Sequence, residues 1–140
     1  MTDKPNALAE TYIAAWKAKD FKTLRSILAD DATFNGPLAH LHSAEDLIDG
    51  LRQMSEIVTD IVVHKRLADD TDAITWFDLH TSVAPPVATA NWSHVENGKI
   101  TRIEVTFDAR PLAPPTTNSR SGRNPFVSGP SQAGQGRERR

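Results

Sequence analysis

The side chains best suited to chemistry fall on a few short stretches. Asp78 and His80 are two residues apart, so on a strand they share one face with Ile74 and Trp76. A carboxylate beside an imidazole suits proton transfer, with Asp78 as general base and His80 orienting it. Asn91 and Tyr12 are polar groups set in otherwise apolar faces. His40 and His42 flank Leu41, and with His64, His80 and His94 they raise the question of a metal. No pair has the helical spacing of a zinc protease, and His-x-His alone is too common to define a ligand set, so no metal is expected. Gly-rich phosphate loops and Ser/His/Asp spacings are missing, and no cofactor is expected. The chain has no Cys, which excludes thiolate zinc sites, iron–sulfur clusters and cysteine nucleophiles.

These groups need elements to hold them. Pro5 suits a first helical position, and Leu8, Tyr12, Ala15 and Trp16 then share a helical face. Lys19-Asp20 ends that helix, and Asp20 caps a short second one that buries Phe21, Leu24, Ile27 and Leu28. Ser43-Ala44-Glu45-Asp46 resembles a capping box and opens a third helix, with Leu47, Ile48, Leu51 and Met54 as its apolar face. The rest reads as strands. Ile57–Leu67 turns at Asp69-Asp70 into Ala73–Thr81, Pro85-Pro86 marks an interrupted edge strand, and Asn97-Gly98 joins Val87–Val95 to Lys99–Asp108 as a hairpin. The order helix, helix, short strand, helix, then four long hairpin-linked strands predicts an α+β fold with helices packed on one antiparallel sheet.

Alternation leaves the inward faces open. On Ala73–Thr81 the face of Ala73, Thr75, Phe77 and Leu79 is at least as apolar as the face of Trp76, Asp78 and His80. On the next strand Asn91 travels with Val87, Thr89, Ser93 and Val95, opposite Ala88, Ala90, Trp92 and His94. If the Asn91 face turns inward, Trp92 belongs to an outer surface, where an exposed Trp suits a dimer interface.

Composition sets the outer limits. The 140 residues suit one domain with a modest core. Residues 113–140 hold four of the nine Pro, four of the seven Gly, and five Arg against one Glu, so they are expected to be a disordered basic tail. Residues 1–112 then form the domain, with 11 Lys and Arg against 17 Asp and Glu. That balance gives no reason to expect nucleic acid. No apolar run reaches the roughly 18 residues that cross a bilayer, and the start has no signal pattern, so a soluble cytoplasmic protein is expected, with no membrane partner.

The element order, with Tyr12–Phe21, Leu28–Phe34, Val95–Ile100 and Phe107–Leu112, resembles the SnoaL-like branch of the nuclear transport factor two superfamily, relatives of steroid Δ-isomerase, limonene-epoxide hydrolase and the polyketide cyclases. The resemblance spans residues 5–112. It implies a cone-like, curved, antiparallel-dominated sheet wrapped around three N-terminal helices (a cystatin-like roll), with an inner pocket for a small, mostly apolar organic molecule. It also implies a homodimer through the outer sheet face. By position Tyr12 matches the oxyanion-donating tyrosine of steroid isomerase, and Asn91 falls near its neutral aspartic acid. Gly36 stands where that enzyme has its base. Asn35 resembles the water-holding asparagine of limonene-epoxide hydrolase, Trp76-Phe77-Asp78 keeps the carboxylate of its arginine–aspartate pair, and Val105 replaces its last-strand aspartate. The implied activity is a cofactor-free isomerase, cyclase or epoxide hydrolase. Its catalytic set would be Tyr12, Asn91, Asp78 and His80, with Trp16, Phe34, Asn35, His40 and Trp76 around the substrate. The alternative is a non-catalytic ligand-binding or dimerising scaffold. Asp108 is expected to have a structural role, pairing with Arg110 or capping the chain end.

Overall fold

The computed structural model describes residues 4–112. Expectations for the tail at 113–140 lie outside the described residues. Helix α1 (Pro5–Lys17) starts with Pro at its first turn and buries Leu8, Tyr12, Ile13, Ala15 and Trp16. It stops where Lys19 adopts φ 59° and the chain turns back, with the Asp20 N–H donating to Ala15 O at 2.8 Å. Asp20 then caps α2 (Phe21–Ser26), accepting from the Thr23 N–H at 3.2 Å. The expected short helix runs two residues too far. Ile27 and Leu28 leave it because the Ile27 carbonyl accepts from the Ile100 N–H at 2.9 Å, which draws the chain into the sheet.

Strand β1 (Leu28–Asn35) pairs with a two-residue strand β2 (His40–Leu41). Helix α3 (Ala44–Met54) follows, and the Ser43 hydroxyl caps it by accepting from the Asp46 N–H at 3.1 Å. Its acidic first turn, Glu45 and Asp46, opposes the positive end of the helix dipole. Four long strands complete the chain: β3 (Val58–Ala68), β4 (Asp72–Thr81), β5 (Val87–Glu96) and β6 (Lys99–Phe107). Asn97 and Gly98, at φ 53° and 76°, make the tight turn from β5 to β6. Pro85 and Pro86 sit in the loop between β4 and β5, both interior strands, and interrupt no edge strand.

The sheet order is β2-β1-β6-β5-β4-β3, antiparallel except for the β1–β6 pair. It is curved and unclosed, and α1 lies across its concave side against β3, β4 and β5. Bulges sharpen the curvature, two of them in β3, between Val58 and Asp60 and at His64. There Val63 pairs with Phe77 and Lys65 with Trp76, so His64 is an extra residue. The core fills the space between helices and sheet: Leu8, Tyr12 and Trp16 from α1, Leu47 and Leu51 from α3, and Phe34, Phe77, Leu79, Ile100 and Ile103 from the strands. No helix among the described residues is long and apolar enough to cross a membrane.

Candidate functional site

The concave side of the sheet is decided by which strand faces are buried. On β4 these are Ala73, Thr75, Phe77 and Leu79; on β5 they are Val87, Thr89, Asn91, Ser93 and Val95. One cross-strand row on this face is polar: Arg66 on β3 pairs with Thr75, Thr75 with Asn91, and Asn91 with the half-buried Val105. The Arg66 Nε donates to Thr75 Oγ1 at 3.1 Å. Beside it, the Asn91 Nδ2 donates to Ser93 Oγ at 3.1 Å, while the Thr89 hydroxyl donates to Val87 O at 3.0 Å. Thr75, Thr89, Asn91 and Ser93 are all buried.

Tyr12 enters the same interior from α1 and is 1 % exposed. Its ring lies 6.4 Å from that of Trp16, and burial pushes its hydroxyl well above the ordinary tyrosine range. No described residue donates to or accepts from that hydroxyl. Buried phenols are ordinarily paired, so an unpaired one is an unusual feature of a core. Asn91 is in a related position: its amide donates once, and its Oδ1 has no partner among the described residues. The interior therefore presents O–H and N–H donors. The buried polar residues of the described chain, Ser55, Thr75, Thr89, Asn91 and Ser93, include no carboxylate or imidazole.

The remaining expected site residues divide between the core, the convex face and the sheet edge. Trp16 is buried and ties α1 to α3, its Nε1 donating to Leu51 O at 3.2 Å. Phe34 is buried on the concave side. Asp78, His80 and Trp76 turn outward, because β4 commits its other face to the core. Asp78 is oriented there by His64, the extra residue of the β3 bulge, with Nε2 and Oδ2 2.9 Å apart, rather than by His80. His80 lies opposite Asp60, and Trp76 is 47 % exposed. Asn35 follows the inward Phe34 and so points out, donating to Glu104 Oε2 at 3.2 Å. His40, exposed on β2, holds its Nδ1 2.9 Å from Asn35 Oδ1. Neither Asp78 nor Asn35 thus shares a face with Tyr12 and Asn91.

Sequence reasoning missed Arg66 and Thr75. Counting alternately from the inward Ile61 puts Arg66 on the convex side, but the extra residue His64 reverses that parity. Only the cross-strand register reveals it.

The convex face carries its own polar groups. The His94 ring bridges Asp72 and Glu96, at 2.9 and 3.0 Å, and the Trp92 Nε1 donates to Asp72 Oδ1 at 2.7 Å. Burial alone would raise the Asp72 carboxyl, but the donors Thr71, Trp92 and His94 outweigh it and hold the group below its usual value. A groove of about 540 Å³ beside them is lined by Asp31, His94, Glu96, Lys99 and Arg102, a mixture of both signs. No group of three His, Asp or Glu side chains among the described residues is placed to hold a metal.

Residues 9–103 match the family described as SnoaL-like domain. No curated protein matches the chain. Among solved structures, an NTF2-like protein of unknown function from Cytophaga hutchinsonii is 28 % identical, with 80 % of this chain and 96 % of that one aligned at a TM-score of 0.72. An LEH-like epoxide hydrolase of M. tuberculosis is 21 % identical over 74 % of this chain and 81 % of its own, at 0.64. A steroid delta-isomerase from Pseudomonas aeruginosa is 18 % identical over 84 % of each chain, also at 0.64. The latter two share the fold.

Proposed function

Since the chain belongs to the SnoaL-like domain family, we propose that the helix-covered face of its sheet binds a small, mostly apolar organic molecule, holding one of that molecule's oxygen atoms on Tyr12 and Asn91. The observation that carries this reading is the buried Tyr12 hydroxyl, which has no partner among the described residues. An O–H and an amide N–H are both donors, and a carbonyl, hydroxyl or epoxide oxygen accepts from both. The surrounding apolar side chains would supply the affinity and the two donors the orientation.

Binding and polarisation are what these residues can do. Two donors aimed at an oxygen stabilise charge that develops on it, which is half of an enolisation or ring-opening site. The other half is a base. Asp78 lies on the opposite side of the sheet beside His64, so it is not within hydrogen-bond reach of a molecule held by Tyr12. We therefore favour a ligand-binding domain over a cofactor-free isomerase, cyclase or hydrolase. Titration with the fluorescent phenolic steroid equilenin tests this reading, comparing wild type with Tyr12→Phe. Saturable binding that weakens about tenfold in the variant is expected, the worth of one good hydrogen bond. Equal affinities would remove Tyr12 from the site, and absence of binding by both equilenin and the smaller 2-naphthol would refute the pocket.

A second copy of the chain is the partner we propose for the convex face. Leu67, Ile74 and Trp92 form one cross-strand row there, exposed by 63, 48 and 41 %, and Trp76 lies one position along β4 on the same face. A two-fold pairing of sheets would cover this row with itself.

A further inference from the structure

Arg66 is the one side chain of the polar row that carries a charge, and it lies half-buried on the same side of the sheet as the buried Thr75 and Asn91. The β3 bulge at His64 is what turns it inward. Its Nε is spent on the buried Thr75 hydroxyl, a bond that fixes the plane of the guanidinium over the concave face. Its Nη1 and Nη2 make no hydrogen bond to any described residue. It also forms no ion pair there, unlike Lys17 with Asp60, Arg25 with Asp30 and Glu45, or Arg110 with Asp108. Residues 1–112 carry 17 Asp and Glu against 11 Lys and Arg, so acids were plentiful, and no described one pairs with it. A planar fork with both terminal amino groups free is the shape that receives a carboxylate through two parallel bonds.

We propose that the ligand of the concave site is an organic acid: its carboxylate is bound by Nη1 and Nη2 of Arg66, while an oxygen at its other end meets Asn91 and Tyr12. This rests on the oxygen-anchoring reading above and adds the substrate class to it. Arg66 and Asn91 are separated by two strand spacings through Thr75, roughly 10 Å between Cα atoms. The Arg66 side chain spans part of that distance. The ligand is then a hydroxy or oxo acid whose two polar ends are joined by a compact apolar frame of one or two rings.

Three fluorescent probes test this on the full chain: 6-hydroxy-2-naphthoate, its carboxamide, and 2-naphthol. At neutral pH and about 0.1 M salt the carboxylate should bind at least tenfold more tightly than the carboxamide, as a charge-assisted bond requires. Arg66→Gln should bring the carboxylate down to about the affinity of the carboxamide, and should weaken the carboxamide, whose carbonyl only accepts a bond to a neutral group, by far less. Arg66→Lys keeps the charge without the fork and should retain part of the preference. Arg66 is only half-buried, and an unchanged thermal midpoint in both variants would establish that they fold. If the two naphthoic derivatives bind equally, or if the preference survives in Arg66→Gln, the acid assignment is wrong while the oxygen anchor stands. If none of the three probes binds, both ideas fall together.

Discussion

Replacing Tyr12 by Phe should make the ligand-free protein more stable, the opposite of the usual result for a buried tyrosine. In an ordinary core the phenol O–H is paired, and its removal costs about 1 kcal/mol of net hydrogen bonding. Here the hydroxyl is 1 % exposed with no described residue to receive it, so the folded state carries the desolvation cost without the compensating bond. That cost is about 1–3 kcal/mol for a neutral group, and the variant keeps the ring and its contact with Trp16. A gain of about 1 kcal/mol is the expectation. In a domain of this size it corresponds to about 4 °C in the thermal midpoint, or an equivalent rise in the urea midpoint at constant slope. Tyr12 is the chain's one tyrosine, so the pH-dependent rise in absorbance near 295 nm reports its ionisation and that of no other phenol. The folded hydroxyl should stay protonated as pH rises past about 10, where the unfolded chain begins to ionise. The folded state then binds more protons than the unfolded one, so stability is complete below that pH and falls above it, and Tyr12→Phe should remove this part of the alkaline loss. A variant less stable by about 1 kcal/mol, or a tyrosine titrating near 10 in the folded protein, would refute the reasoning.

Two further outcomes follow from the convex face and the chain end. Leu67→Glu places a charge in the exposed row with Ile74 and Trp92 and should convert a dimer to a monomer by light scattering, whereas a monomeric wild type at about 100 μM would dismiss that interface. Asp108 is held down to about 2 by the side-chain and backbone N–H groups of Arg110. Its contribution is therefore present above the ordinary carboxyl pKa and lost as pH falls toward 2. In Arg110→Ala its NMR titration should move up toward the ordinary range, and an unmoved midpoint would mean the pair does not form in solution.

The readable parts of this fold were those fixed by neighbours in the chain. Asp20 and Ser43 cap their helices through groups three residues on, and Asn97-Gly98 adopts the positive φ that its turn requires. What local chemistry could not decide was which face of a strand turns inward. On β4 both faces are apolar enough to be a core, and the choice falls to the space under α1, which accepts Thr75 and Phe77 and sends Asp78 outward. The end of α2 likewise depends on Ile100, more than seventy residues along the chain. The two-residue β2 has no sequence signal, because its pairing with Phe34 and Asn35 is its whole definition.

The β3 bulge shows how one inserted residue can carry both structure and recognition. Without His64 in excess, strict alternation would leave Arg66 outside, where its charge is hydrated at no cost, and Lys65 inside. With it, the cation lies beside Thr75 and Asn91, and His64 itself reaches Asp78 on the convex face. A sheet meant only to support three helices gains nothing from this, since Val or Leu at Thr75 and Asn91 would bury more apolar surface and leave no donor unpaired. Groups of this kind commonly cost about 1–3 kcal/mol each when unmatched. Their alignment in one cross-strand row, with the Tyr12 hydroxyl unpaired among the described residues in the same interior, is what a ligand with matching polar ends would offset. Stability and binding are therefore expected to move in opposite directions at Tyr12, as they do wherever a site is built from groups the fold itself does not satisfy.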